Sequence, residues 1–385
     1  RLCRDWSSDV CSSDLYIPRL SSYTSTWLNG ETRYSAFSNP PLTQADIMWQ
    51  DITTLNLGLD MRLFKDKLGI TYDWYQRVTN NMLVPGIALP IVLGTSSPVG
   101  NYGQLTTKGW ELALDFNHRF TRKFGINITA MVSDANSEIT KYQQGALKTV
   151  TDLFYEGKRI GDIYGYITEK LYQKDDFELD ANGNLIEYTL TASDTKMASN
   201  IGKKVWKLKT IDGKAPVYQA FLQNSSNFRF GPGDVKFTDL NNDAEINNGT
   251  NVVGDEGDLT IIGNSTPRFQ YSLRVGADFM GIDASVFMQG VGKMEIWGNG
   301  SLAIPGYHSS DGGIPQTFAG DFWKDDRTNA FYPRAFNQLA SNVGNNMQIQ
   351  SRYLLDLSYL RIKNLTLGYT IPEQITKATF ISKAR

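Results

Sequence analysis

The sequence predicts an all-β chain: an antiparallel transmembrane β-barrel segment with long extracellular loops. Three observations carry that expectation. Apolar and polar residues alternate with period two over runs long enough, at about nine to eleven residues, for a tilted strand to cross a hydrocarbon layer. The connections between runs alternate strictly between short and long, as in barrels whose turns lie on one side of the membrane and loops on the other. No apolar stretch approaches the roughly 18 residues of a helical span. The nearest, Met82 to Gly94, is broken by Pro85 and Pro90. The mean hydropathy of −0.33 does not argue against a barrel, because lipid-facing and lumen-facing positions average out as polar.

Residues 1–15 stand apart from this pattern. They hold both cysteines, Cys3 and Cys11, and a near-duplication, Ser7-Ser8-Asp9-Val10 against Ser12-Ser13-Asp14-Leu15. Without the apolar core of a signal peptide, they read as a non-native leader, resembling a translated adapter. The alternative is a surface loop closed by a disulfide. Residues 16–385 are then the barrel portion proper.

Seven strands follow in order. Leu55, Leu57, Leu59, Met61 and Leu63 alternate with Asn56, Gly58, Asp60 and Arg62. Leu68, Ile70, Tyr72 and Trp74 form the second apolar face, and Trp110, Leu112, Leu114 and Phe116 the third. The fourth carries Phe124, Ile126, Ile128, Ala130 and Val132. In the fifth, Phe269, Tyr271, Leu273, Val275, Ala277 and Phe279 oppose Gln270, Ser272, Arg274, Gly276 and Asp278. The sixth sets Ile282, Ala284, Val286 and Met288 against Asp283, Ser285 and Gln289. The seventh, about Tyr359 to Ile371, switches its apolar phase near Asn364, which predicts a bulge.

Residues 65–67, 119–123 and 280–281 are tight turns, predicted to face the periplasm. The long connections 79–107, 134–268 and 290–358 are predicted to lie outside. The loop 134–268 far exceeds ordinary loop lengths, so it must carry structure or function of its own. Apolar runs at Ile163 to Ile167 and Val217 to Leu222 suggest small hairpins folded over the barrel mouth.

Composition narrows the chemistry. The 385 residues hold 38 Lys+Arg against 40 Asp+Glu, and without a basic excess a nucleic-acid partner is not expected. Two histidines, His118 and His308, and two cysteines exclude a His-rich or Cys-rich metal site. No nucleophile-elbow motif and no complete phosphate-binding glycine fingerprint appears, so the chain is not expected to be an enzyme. Asp239-x-Asn241-x-Asp243, followed by Glu245, Asp255 and Asp258, spaces oxygen ligands as a calcium loop does. Ala244 stands where that loop wants glycine, and Thr250 where it wants the bidentate glutamate. A polar turn held by Asx capping is the competing reading. Trp297, Tyr307, Trp323 and Tyr332 in the third long loop are candidate ligand contacts, since sugar faces stack on aromatic rings. Packing of the loop on itself is the alternative for each.

Several motifs, in this order, resemble one family. They are Trp49-Gln50 with Thr54, Asn56, Gly58, Leu59 and Asp60; Asn101-Tyr102-Gly103 with Lys108-Gly109-Trp110-Glu111; and Gly231-Pro232-Gly233-Asp234-Val235-Lys236-Phe237-Thr238-Asp239-Leu240-Asn241. Then come Ile262-Gly263-Asn264-Ser265-Thr266-Pro267-Arg268; Asp321, Trp323, Tyr332, Pro333 and Arg334; and Ser358-Tyr359-Leu360-Arg361-Ile362-Lys363-Asn364 with Leu367-Gly368-Tyr369. Together they are similar to the SusC/RagA-like TonB-dependent transporters of the Gram-negative outer membrane, with Thr107 departing from the family's usual Asn. The resemblance implies a C-terminal-region segment of a plugged barrel of about 22 strands. It also implies energy-coupled import of glycans or oligopeptides, a SusD-like surface lipoprotein as lid, and contact with the TonB complex through a part of the parent absent from this chain. Alternation alone would serve a passive porin equally well, and a secreted carbohydrate-binding β-protein is a third reading.

Overall fold

The computed structural model describes residues 20–30, 32–38, 40, 42–44, 46–87, 89–95, 97–143, 147–210, 213, 215–223, 228–298, 316, 320–335, 345–372, 376 and 384–385. The leader reading for 1–15 lies outside them.

The seven expected strands form one antiparallel sheet. In chain order they are β1 (Asp51–Leu63), β2 (Leu68–Pro85), β3 (Val99–Thr121), β4 (Phe124–Lys141), β5 (Arg268–Phe279), β6 (Ile282–Lys293) and β7 (Tyr359–Tyr369), each paired with its sequence neighbour. The sheet does not close on itself, and β1 and β7 are its two edges.

The register explains the alternation. Met61, Ile70, Leu114, Ala130, Leu273, Met288 and Ile362 stand opposite one another across all seven strands. Leu63, Leu68, Phe116, Ile128, Val275, Val286 and Leu365 form the next apolar row on the same face. A one-residue slip anywhere would turn such a row to the other side of the sheet. In β7 the seam is kept by a bulge: Ile362 pairs with Met288 and Asn364 with Phe287, leaving Lys363 as the extra residue.

The opposite face is polar and uses glycine to let ion pairs reach across an intervening strand. Arg62, Gly69 and Asp115 stand in one row, and Arg62 donates to Asp115 over the glycine at 2.8 Å. A Cβ on Gly69 would come within 2.7 Å of the guanidinium. Arg119 reaches Asp278 over Gly125 in the same way.

At the short-turn end the apolar face finishes in aromatic rings. Phe120 meets His118 at 4.4 Å and Phe124 at 5.5 Å, and Phe124 meets Phe279 at 6.3 Å. At the other end Trp74 and Trp110 are paired. The stretch from Trp110 to Phe120 covers about 33 Å of strand at about 3.3 Å per residue, which at a tilt of about 40° is about 25 Å across the membrane.

Three expectations need correction. The strands run past the apolar band, so the first long loop proper is 86–98, the second begins after Lys141, and the third after Lys293. Beyond the hydrocarbon no lipid imposes an apolar face, so alternation fades while the backbone ladder continues. The short turn 119–123 likewise shrinks, because β3 ends at Thr121 and β4 begins at Phe124. Val217 to Leu222 is a single 3-10 turn at Ala220–Leu222, not a hairpin. One hairpin, Ser22–Asn29 with Thr32–Phe37, was missed by the alternation.

Candidate functional site

The second and third long loops fold together into one body beyond the strand ends. Four two-stranded ribbons frame it: Asp162–Tyr166 with Leu259–Asn264, Thr168–Leu171 with Val235–Phe237, Glu187–Thr189 with Lys204–Trp206, and Glu295–Ile296 with Leu355–Asp356. The main cluster of buried apolar residues lies here and not in the sheet, with Tyr172, Phe177, Phe228, Phe237 and Ile246 among its fully enclosed side chains. Each such side chain contributes about 1.5–3 kcal/mol by leaving water. That is enough to hold a structured lid where the sequence shows only irregular chain.

A buried polar clamp joins the two loops. Asp234 has no solvent exposure. It accepts two hydrogen bonds from the Arg334 guanidinium, at 3.0 and 2.7 Å, one from Asn346 Nδ2 at 2.7 Å and one from the Gly231 N–H at 2.7 Å. Asn346 Oδ1 in turn accepts from the Val235 N–H. Burial pushes the Asp234 carboxyl above the usual carboxylate range, and the Arg334 charge opposes that shift. Beside the clamp, Gly233 sits at φ +85° with the Trp323 ring where a Cβ would be. A side chain there would meet both backbone strain and the indole.

The aromatic candidates therefore have definite places. Trp323 is 7% exposed, within the lid core, and its Nε1 donates to Gln173 Oε1 at 3.3 Å. Tyr332 is half-buried and stacks on Tyr353 at 6.0 Å, and its carbonyl accepts from the Trp323 N–H. Trp297 is half-buried against the same core. Tyr307 lies outside the described residues, as does His308. The structure thus brings Trp323 and Tyr332 together as packing for the lid. What reaches solvent beside them is an open polar cleft of about 470 Å³, lined by Gln173, Lys174, Asp175, Trp323, Asp325 and Asn329 among others.

The calcium-like loop is a chain of side-chain-capped turns. Asp239 accepts from the N–H groups of Asn242 and Ala244, at 2.7 and 2.9 Å, and Asp243 from that of Glu245 at 2.9 Å. Asn241 Nδ2 donates to Asp243 at 3.1 Å. Asp258 is fully buried and accepts from the Leu240 and Asn247 N–H groups, each at 2.8 Å. Burial pushes its carboxyl up to about 6, with the charges of Asp239 and Asp243 adding to the shift. Glu245 is drawn away to Thr195 and the Lys196 N–H, and Asp255 to Thr250. Ala244 adopts φ +69°, the left-handed conformation that a glycine at this position would take without cost. Among the described residues no group of three or more His, Cys, Asp or Glu side chains is arranged to hold a metal ion.

No family model matches the sequence. Three curated proteins of Formosa agariphila do match it: TonB-dependent receptors P3, P39 and P26 are 26%, 23% and 22% identical over 88%, 91% and 87% of this chain. Along nearly its whole length the chain is similar to TonB-dependent receptors. It spans 29%, 32% and 28% of the length of those three receptors. Among solved structures, the RagAB peptide transporter aligns with 96% of this chain at a TM-score of 0.59 and 15% identity. The RagAB peptide importer in its closed-closed state aligns with 94% at 0.57 and 17%. Each alignment covers 33% of the solved chain, and at these identities the likeness is one of fold.

Within this chain the sequence signature and the structural clamp coincide. Gly231 to Asp234 and Arg334 stand out as motif residues, yet nothing in the sequence pairs two positions so far apart along the chain. Asn346 and Gln350 carry no motif signal. They are nevertheless fully buried, and the Thr168 hydroxyl donates to Gln350 Oε1 at 2.8 Å, stitching the third loop to the second.

Proposed function

We propose that the full-length protein imports a large polar nutrient, a glycan or an oligopeptide, across the outer membrane of a Gram-negative bacterium. In this reading it is coupled to TonB through parts outside this chain and works with a SusD-like surface lipoprotein. The observation that carries the reading is the match to TonB-dependent receptors along nearly the whole chain. The folded lid supports it. A passive pore gains nothing from two loops packed into a clamped body over a membrane sheet, whereas a receptor must present a shaped surface to its ligand. The polar cleft beside Trp323 offers hydrogen-bonding groups suited to such a ligand. In its role here Trp323 shapes the cleft from the core side, and Tyr332 and Trp297 support it.

The test is uptake by cells carrying the full-length gene, measured on a panel of labelled glycans and oligopeptides with TonB present and deleted. Uptake should require TonB. Undiminished uptake without TonB would replace this reading with a passive porin. A full-length product that partitions into water would replace it with a secreted binding protein.

Calcium at the loop Asp239 to Asp258 is proposed on a separate observation. The charges of Asp239 and Asp243 add to the upward shift of the Asp258 carboxyl, and a divalent cation would relieve that repulsion.

A further inference from the structure

Where the outer ends of β2, β3 and β4 rise above the apolar band, they enclose a cavity of about 310 Å³ against the start of the lid. Its lining is almost entirely apolar, including Val84, Leu105, Ile139, Tyr142, Phe154 and Ile160. By alternation Leu105 shares its strand face with Glu111 and Asp115, the polar side of the sheet. Two polar side chains reach it. Gln104 is occupied internally, donating to Asn80 Oδ1 at 2.5 Å and accepting from Thr140. Lys141 stands exposed at the rim and forms no ion pair among the described residues. The cavity shares Pro85, Tyr142 and Phe154 with a wider groove of about 730 Å³ that carries polar groups, among them Ser97, Gln143, Thr151 and Asp152.

These features select one chemistry. A volume near the lower end of the roughly 300–1,000 Å³ range of ligand cavities takes a large side chain, not an oligosaccharide. A sugar ring would leave its hydroxyls without partners against this lining, at a cost that apolar packing does not offset. The single free charge at the rim is positive.

We propose that this cavity is a side-chain subsite for a peptide ligand. It takes an aromatic or branched apolar side chain, Lys141 meets the ligand's carboxylate, and the wider groove receives the remaining backbone. The proposal rests on the import reading and selects peptides over glycans at this site.

The experiment uses full-length protein in detergent and three fluorophore-labelled tripeptides: Gly-Gly-Phe, Gly-Gly-Ser and Gly-Gly-Phe amide, read by fluorescence anisotropy. Gly-Gly-Phe should bind about tenfold or more tighter than Gly-Gly-Ser. Leu105→Trp, which fills the cavity, should erase that gap. Lys141→Gln, an exposed change that spares the fold, should narrow the preference for the free acid over the amide. Equal binding of the Phe and Ser peptides, a gap that survives Leu105→Trp, or an acid preference unchanged in Lys141→Gln would each overturn the subsite. TonB-dependent uptake of a glycan alongside any of these results would overturn the subsite and leave the import reading standing. Loss of TonB dependence would overturn the import reading itself.

Discussion

Asp234 shows how a single residue makes two loops one body. Its carboxylate is wholly removed from water and is tolerated because Arg334, Asn346 and a backbone N–H occupy its oxygens. Arg334→Ala should therefore cost about 3–5 kcal/mol of lid stability, the penalty of leaving a buried charge alone. Urea midpoints followed by lid proteolysis in the full-length protein would measure it, and a loss under 1 kcal/mol, the level of an exposed pair, would contradict the clamp. Asp258 gives a pH dependence. Its folded value, pushed up to about 6, lies above the ordinary value of about 4, so the folded lid holds the proton more tightly than the unfolded chain. Its contribution to stability is full below about pH 4 and is lost as pH rises through about 6. Without calcium, lid stability should fall from pH 4 to pH 7 more steeply in the wild type than in Asp258→Asn. Added calcium should remove that difference if the ion binds here, and a difference that calcium leaves untouched would count against the ion. At this scale the sequence was partly legible. The spacing of Asp239, Asn241 and Asp243 announced a turn that orders its own backbone, and Ala244 proved to hold the glycine-like conformation. That Glu245 and Asp255 turn to Thr195 and Thr250 depends on contacts no spacing encodes.

Strands are the elements that the sequence states most clearly, because in a membrane one face of each has a single solvent. Leu112 lies in the apolar row with Leu59, Tyr72, Val132 and Tyr271, and Glu111 in the polar row with Gly58, Asp73 and Ser133. Leu112→Arg should destabilise the barrel by roughly 2–4 kcal/mol if it lies near the bilayer midplane, and less nearer the interface. Glu111→Gln should change it little. Folding into lipid vesicles, followed by heat-modifiable gel mobility, would compare the two, and equal effects would mean the faces are misassigned. The same physics explains what was hidden. The phase change near Asn364 revealed the bulge at Lys363 because an apolar seam had to be kept. The alternation stops short of the outer ends of β2, β3 and β4 because beyond the lipid nothing distinguishes their two faces.

For the whole molecule, the sequence separates the two ends of the sheet but does not reveal the lid. Length parity places every long connection at one end of the sheet, and the structure agrees, with the turns at 64–67, 122–123 and 280–281 at the other end. The lid's existence followed from loop length, but its architecture did not. Its core draws on positions scattered from Tyr166 to Tyr353 without period, and such contacts are set by tertiary packing. The sheet is expected to span the membrane with its long loops outside the cell. Single cysteines at Val92, which is 87% exposed at the tip of the first loop, and at Lys123, in a short turn, test it most directly. They would be placed in full-length protein freed of any other cysteine, and treated with an impermeant maleimide on intact cells. Val92→Cys should label on intact cells and Lys123→Cys only after the outer membrane is opened. Equal labelling of both on intact cells, or the reverse order, would contradict the account.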